Sequence, residues 1–344
     1  MNTEPFQSKF KQDWRDLMPL NDNQLLEILR NQNDLEVLDV RRTENITRDR
    51  ASLSKIDVHT RDNRIVPLLE KNTISMSVPY ENIIYKYYSS KNVSIPKVFY
   101  NEYDQVGHEG ILLMEDLTPT HRNIADWEPP IDTNKIKTII DVISQFHAVS
   151  WGRGELAVPK HLQSVEEYLI HIGYLERDYI HFRKTQTYNL GDDQFEIYEE
   201  SLQRLRENAQ KHIERITNNQ HTSFIHGDLN VCNMLYPLID NARPYIIDLE
   251  AVRVGLCTED LVMLFIHDLF HGGEETLHIF QIYYRSICTK ISCEYTYDQF
   301  MEDIRISIME GIFFPLKLFV HNGVKDEELV LKSINAYKTF IGIT

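Results

Sequence analysis

The chain has 344 residues, enough for two lobes with cores of their own, and its 42% hydrophobic and 26% charged residues are ordinary for a globular protein. A formal net charge of −16 weighs against a nucleic-acid binder and suits a cationic ligand. No run of about 18 apolar residues marks a membrane span, so no membrane association is expected. The polar start MNTEPFQSKFKQDW has no apolar signal region, and the cytoplasm is the expected location. Cys232, Cys257, Cys288 and Cys293 have neither C-x-x-C nor zinc spacing and read as reduced thiols.

Leu17, Leu20, Leu25, Leu26 and Leu29 form an apolar stripe that predicts a helical lead-in over 5–31. Strand-like runs follow at Leu35–Val40, Ala51–Val58 and Arg64–Leu69. A helix is expected from Pro79 to Tyr88, then strands at Val98–Tyr100 and Gly110–Met114. This order predicts a five-stranded antiparallel sheet with one packed helix. The character changes near Glu115–Thr118. Helices are expected at 134–148, 164–184 and 193–217, a hairpin-like stretch at 222–252, and mostly helix from about 259 to 342. The reading is an α+β bilobal chain: a small lobe over 1–115 and a larger helical lobe over 116–344.

The chemistry concentrates in FIHGDLNVCNMLYPLIDNARPYIIDLEAVRVGLCTEDL, from Phe224 to Leu261. Asp228 and Asn233 lie five residues apart in a segment that contains Gly227, which suits a loop. Met234-Leu235-Tyr236 then reads as a strand, and Asp240, Asn241 and Pro244 supply turn chemistry. Tyr245-Ile246-Ile247 returns, with Asp248 at its end. Such a hairpin brings Asn233 and Asp248 to one rim, where an amide oxygen and a carboxylate make a hard oxygen site suited to Mg²⁺. Asp228 beside it can accept a proton from a hydroxyl. This is the layout of a kinase catalytic loop with its metal-binding Asp, with H-G-D-x-x-x-x-N in place of H-R-D-L-x-x-x-N and I-D-L-E in place of D-F-G.

His226-Gly227-Asp228 with Asn233, then Ile247-Asp248-Leu249-Glu250-Ala251, Gly255 and Asp260-Leu261, resembles the motif set of the aminoglycoside phosphotransferase/choline kinase superfamily. The resemblance implies a protein-kinase-like fold. Gly227 leans away from choline kinases, which usually read H-N-D. Glu250 contrasts more weakly with ecdysteroid kinase-like proteins, which often carry Gln there. His226 and Asp260 are expected to brace the loop rather than touch substrate.

The template asks for a strand lysine paired with a helix glutamate. Lys71, on one face with Ile65, Pro67 and Leu69, is assigned to the α/β-phosphates and Glu81 as its partner, with Lys55 as the rival lysine. Glu81 and Tyr85 match the E-x-x-x-Y helix of the superfamily. The phosphate-covering loop is expected at 42–48, without glycine, where Asn45 and Thr47 could donate to phosphate. Gly110–Leu117 resembles the hinge strand, which implies adenine bonded to backbone near Glu115 and Leu117. The motif F-H-A-V-S-W at 146–151 resembles a helix of the superfamily, with His147 and Trp151 read as core. Tyr168, Tyr174, Tyr179 and Phe182, in the helical insertion from Gly152 to Thr222, also read as core.

The implied activity is transfer of the γ-phosphate of ATP or GTP to a hydroxyl of a small molecule, with Mg²⁺ on Asn233 and Asp248 and with Asp228 as base. Choline/ethanolamine, sugar and ecdysteroid-type kinases are the alternatives of the same fold, and a nucleotide-binding pseudokinase is the alternative without turnover. No A-P-E segment follows Asp248, which counts against a protein kinase. The acceptor, the nucleotide preference and the oligomeric state leave no mark in the sequence.

Overall fold

The computed structural model describes residues 19–31, 35–47, 51–74, 78–104, 109–126, 132–153, 162–185, 187–188, 190–239, 242–269 and 272–342. The chain divides into two compact units. One holds the described residues up to Ser90 together with Ile95–Thr120; the other holds Lys91–Ser94 and the chain from His121 onward.

The first unit opens with α1 (Asp22–Arg30), which Asn21 caps by accepting from Gln24 N–H while Gln24 Oε1 accepts from Asn21 N–H. Within the expected lead-in, residues 5–18 lie outside the described part. Three long strands follow, β1 (Val37–Thr47), β2 (Ala51–Thr60) and β3 (Ile65–Ile74), then α2 (Val78–Ser89), β4 (Val98–Asp104) and β5 (Glu109–Glu115). The strands pair antiparallel in the order β1-β2-β3-β5-β4. Strand alternation sends Ile56 and Val58 of β2 and Leu68 of β3 to one face, where Leu25 and Leu29 of α1 cover them.

Glu70 also points to that buried face and is fully enclosed. Its carboxylate accepts from Arg42 Nη2 at 2.7 Å, Asn72 Nδ2 at 2.6 Å and Leu20 N–H at 3.3 Å. Arg42 also donates to the Leu20 carbonyl. One buried anion on β3 thus ties the entry of α1 to Arg42 of β1 and Asn72 of β3.

The second unit is mainly helical: β6 (His121–Asn123), α3 (Thr133–Val149), α4 (Val165–Thr185), α5 (Asp192–Thr217), β7 (Ser223–Ile225), β8 (Met234–Pro237), β9 (Tyr245–Ile246), β10 (Arg253–Gly255), α6 (Cys257–Val262), α7 (Gly273–Cys288), α8 (Tyr297–Gly311), α9 (Phe314–Asn322) and α10 (Glu327–Phe340). A π-helical turn, Met263–Asp268, continues α6. The short strands form a β7–β10 pair and a β6-β8-β9 sheet. Of the four aromatic residues assigned to core, Tyr168, Tyr179 and Phe182 are buried, whereas Tyr174 is 52% exposed. Trp151 is half-buried rather than core: its ring packs on Tyr295 and its Nε1 donates to Cys293 Sγ. No described helix is long and apolar enough to cross a membrane.

Removing one member of a buried ion pair leaves the other charge uncompensated, at a cost of about 3–5 kcal/mol. Glu70→Ala is therefore expected to lower unfolding stability by about that amount in urea titrations. A loss below about 1 kcal/mol would show that this network does not anchor the sheet.

Candidate active site

The segment after β7 is a tight loop because of where its backbone hydrogen bonds go. Asp260, on α6 and 1% exposed, accepts from His226 N–H through Oδ2 at 2.6 Å and from Gly227 N–H through Oδ1 at 2.9 Å. His147 Nε2 adds a third bond at 3.0 Å, and His147 Nδ1 accepts from Tyr283 O–H at 2.8 Å. Burial alone would push the Asp260 carboxyl up, but the hydrogen bond from His147 and the backbone N–H of His226 hold it below its usual range. His226 Nε2 donates to the Ile247 carbonyl at 2.8 Å, which leaves Nδ1 to accept from Asp228 N–H at 3.3 Å.

Gly227 has φ +77°, and a Cβ there would meet the Ala251 carbonyl oxygen and the Arg253 guanidinium. Both the left-handed backbone and the space demand glycine at this position. Next to it, Asp228 is exposed. Asn230 Nδ2 donates to its Oδ1 at 3.2 Å and Asn233 Nδ2 to its Oδ2 at 3.3 Å, and both amides also reach the Asp228 carbonyl. Surrounding protein desolvates the Asp228 carboxyl and pushes it up, and the charge of Asp248 adds to the rise; His226, Asn230 and Asn233 oppose it. A carboxylate so placed is a better proton acceptor than a free one.

Asn230 also accepts from Cys232 N–H and caps the short 3₁₀ turn Val231–Asn233. The β8–β9 hairpin then pairs Met234 with Ile246, and Ile247 N–H reaches the Asn233 carbonyl at 3.0 Å, so Asn233 and Asp248 flank one rim. The turn residues Asp240 and Asn241 lie outside the described part. Asp248 is exposed with φ 64° and ψ 68°, a left-handed conformation that Asp tolerates better than most residues. Because the amide nitrogen of Asn233 is committed to Asp228, Oδ1 is the atom it could offer to a metal. That oxygen and the Asp248 carboxylate are hard donors of the kind Mg²⁺ takes.

In the first unit, β3 and α2 bring Lys71 and Glu81 together. Lys71 Nζ donates to Glu81 Oε1 at 2.9 Å and Oε2 at 3.2 Å, with 2% of the glutamate side chain exposed. The rival Lys55 stands opposite Glu44 across the β1–β2 ladder and pairs with it at 2.9 Å. The expected phosphate-covering loop is corrected over 42–47, which is strand β1. Asn45 and Thr47 are exposed ladder residues opposite Ser54 and Ser52, and residues 48–50 lie outside the described part. At the hinge segment, Glu115 N–H donates to the Lys97 carbonyl at 2.8 Å. Leu117 is buried, and its carbonyl accepts from Thr120 N–H at 3.0 Å. Sequence reasoning passed over Asn230, although an Asn two residues after an Asp is a typical side-chain cap. It also passed over Asp268, which accepts from Val231 N–H at 2.7 Å.

Residues 68–292 match the model of the ecdysteroid kinase-like family, well over half of the sequence. The chain belongs to this family. The match falls on the branch that Glu250 weighed against and within the superfamily that the loop motifs resemble. No curated protein matches the chain in sequence. Among solved structures, a Ralstonia eutropha protein described as an aminoglycoside phosphotransferase is 14% identical, with TM-score 0.56, covering 93% of this chain and 96% of its own. A thermostable variant of the aminoglycoside phosphotransferase APH(4)-Ia, solved with ADP and hygromycin B, is 10% identical with TM-score 0.51, covering 93% and 97%. At these identities the likeness is one of fold, and that fold is protein-kinase-like.

Gly227→Ala is expected to cost at least about 1–2 kcal/mol from the left-handed backbone alone, with the clash against Ala251 adding to it. Denaturant titration measures the loss, and hydrogen exchange should show the 226–233 loop opening first. Wild-type stability in this variant would contradict the loop geometry.

Proposed function

We propose that the chain transfers the γ-phosphate of ATP or GTP to a hydroxyl of a small molecule. The observation that carries this reading is Asp228 itself: an exposed carboxylate, raised in basicity, gripped by two asparagine amides beside the hairpin that carries Asp248. In this reading Asp228 aligns the acceptor hydroxyl and takes its proton as the oxygen attacks phosphorus in line. Asn233 and Asp248 hold Mg²⁺, which when bound neutralises charge on the phosphates. Lys71, fixed by Glu81, holds the α/β-phosphates. The backbone near Glu115 and Leu117 takes the adenine, and Asn45 and Thr47 are at most peripheral donors from the exposed end of β1. Catalysis is then positioning and charge neutralisation in a prearranged site.

Family membership supports ecdysteroid-type alcohols as the first acceptors to screen, followed by amino alcohols, sugars and aminoglycosides. The fold neighbours support a nucleotide as donor.

The test is thermal stability with ATP or GTP, with and without Mg²⁺, followed by ADP release with each acceptor. At about 100 times its dissociation constant the nucleotide should add roughly 2.7 kcal/mol. Asp248→Ala should lose the magnesium-dependent part. Asp228→Asn should keep the nucleotide shift and lower turnover by about 10²–10⁴-fold. Near-normal turnover in Asp228→Asn would refute the base assignment. Absence of any shift with either nucleotide would overturn the kinase reading, and a shift without ADP release from any acceptor would favour a nucleotide-binding pseudokinase.

A further inference from the structure

The outer face of α4 carries apolar side chains where a surface helix is ordinarily polar. On its inner face α4 buries Tyr168, Ile172, Leu175, Tyr179 and Phe182, and it packs against α5 and α9. On the opposite side Leu169, Ile170, Tyr174 and Ile180 are open to solvent, each 43% to 52% exposed. Four large apolar side chains on one helix face form a patch rather than a scatter of single surface residues. With about 100° of rotation per residue, Glu166, Ile170, Gly173, Arg177, Ile180 and Lys184 fall along one line of that face. All six are exposed. Their spacing is 4, 3, 4, 3 and 4 residues, the alternation that keeps a seam facing a partner helix at a shallow crossing angle.

This seam is complementary to itself. Its spacing reads the same in both directions, with Leu175 at the midpoint. A two-fold axis there lays a second α4 antiparallel on the first. Ile170 of each copy then meets Ile180 of the other. Glu166 in the first turn meets Lys184 in the last, and neither has an ion-pair partner among the described residues. Arg177 faces Gly173, where an added Cβ would meet nothing within 4 Å, so a long side chain has room to cross. Within its own chain the Arg177 guanidinium lies 4.9 Å from the centroid of the Tyr174 ring, which holds it along the helix surface. A parallel pair would instead set Glu166 against Glu166, Arg177 against Arg177 and Lys184 against Lys184, all repulsive. The terminal charges also suit the dipole of α4 itself. That dipole does not account for two exposed isoleucines placed five residues to either side of the midpoint.

We infer that the outer face of α4 docks a second copy of this chain, as an antiparallel helix pair centred on Leu175. Such a contact uses the same patch on both copies, so it closes at two and leaves no open end for a third. The 21 residues of α4 span about 30 Å, and a single helix pair is a small interface, so the dimer is a weak and reversible one. The inference rests on α4 alone and is independent of the reaction assigned to the catalytic loop.

The experiment is sedimentation velocity on the full-length chain from about 1 μM to about 300 μM, the range in which weak contacts saturate. Wild type is expected to pass from the mass of one chain to that of two. Ile170→Glu and Ile180→Glu should each hold it at one. Glu166→Lys or Lys184→Glu alone should weaken association about tenfold, because each change sets like charges together twice in the pair. The double variant with both Glu166→Lys and Lys184→Glu should regain the wild-type association, which only an antiparallel pairing of these two positions predicts. All four positions are exposed, and circular dichroism checks that each variant keeps its fold. A wild type that stays a single chain at every concentration overturns the inference and leaves the face to a different partner. A dimer that survives Ile170→Glu and Ile180→Glu, or one that the double charge swap does not restore, puts the contact elsewhere and overturns it as well.

Discussion

The second unit depends on one buried carboxylate. Asp260 brings a full negative charge to a position 1% exposed to solvent, which is tolerable only because three donors converge on it. Two of them are consecutive backbone N–H groups of a loop that has no strand to satisfy them. The third is an imidazole from α3, itself held by a tyrosine of α7. Removing the carboxylate would leave two orphaned backbone donors in the interior and a histidine without its acceptor. The conformation of His226 and Gly227, and so the direction in which Asp228 leaves the core, follows from that single side chain.

What was legible in the sequence was local. The β8–β9 hairpin could be read because its turn residues and two short apolar runs lie within fifteen positions, and the hairpin register then brings Asn233 beside the Asp248 end. Lys71 and Glu81 could be read because a strand and the next helix place them ten residues apart. The 42–47 segment was misread for a physical reason. β1 is an edge strand whose polar residues face solvent along most of its length, so neither apolar periodicity nor a buried face distinguishes it from a loop. Trp151 was misread because ring size suggests burial, whereas its packing on Tyr295, a residue 144 positions away, leaves it half open.

The buried polar residues of the helices were the least legible. His171, His212, Glu259 and Glu310 come from four helices spread over 140 positions, and each looks alone like an ordinary helix residue. Their contacts arise from packing: Glu310 bonds to His171, whereas His212 Nδ1 is buried with no hydrogen-bond partner among the described residues. This contrast separates two layers of the molecule. The catalytic-loop motif sits on short loops and hairpins with recognisable spacing, whereas the buried polar contacts among the helices are assembled over long sequence separations.

The π-helical turn after α6 shows how one element can brace the catalytic loop at two points. Asp260 accepts from residues 226 and 227, and Asp268 from residue 231. Eight residues of regular α-helix advance about 2.2 turns and would leave the two carboxylates roughly 80° apart around the axis. The wider turn from Met263 to Asp268 slows that rotation and returns Asp268 to the face that Asp260 occupies. Both oxygens of Asp260 are used on the loop entry and one of Asp268 on its far end, so Asp228 sits between two clamps carried by one continuous helix. A π turn is rare beside the α-helix it continues, and here it ends at the Asp268 carboxylate that accepts from Val231 N–H at 2.7 Å.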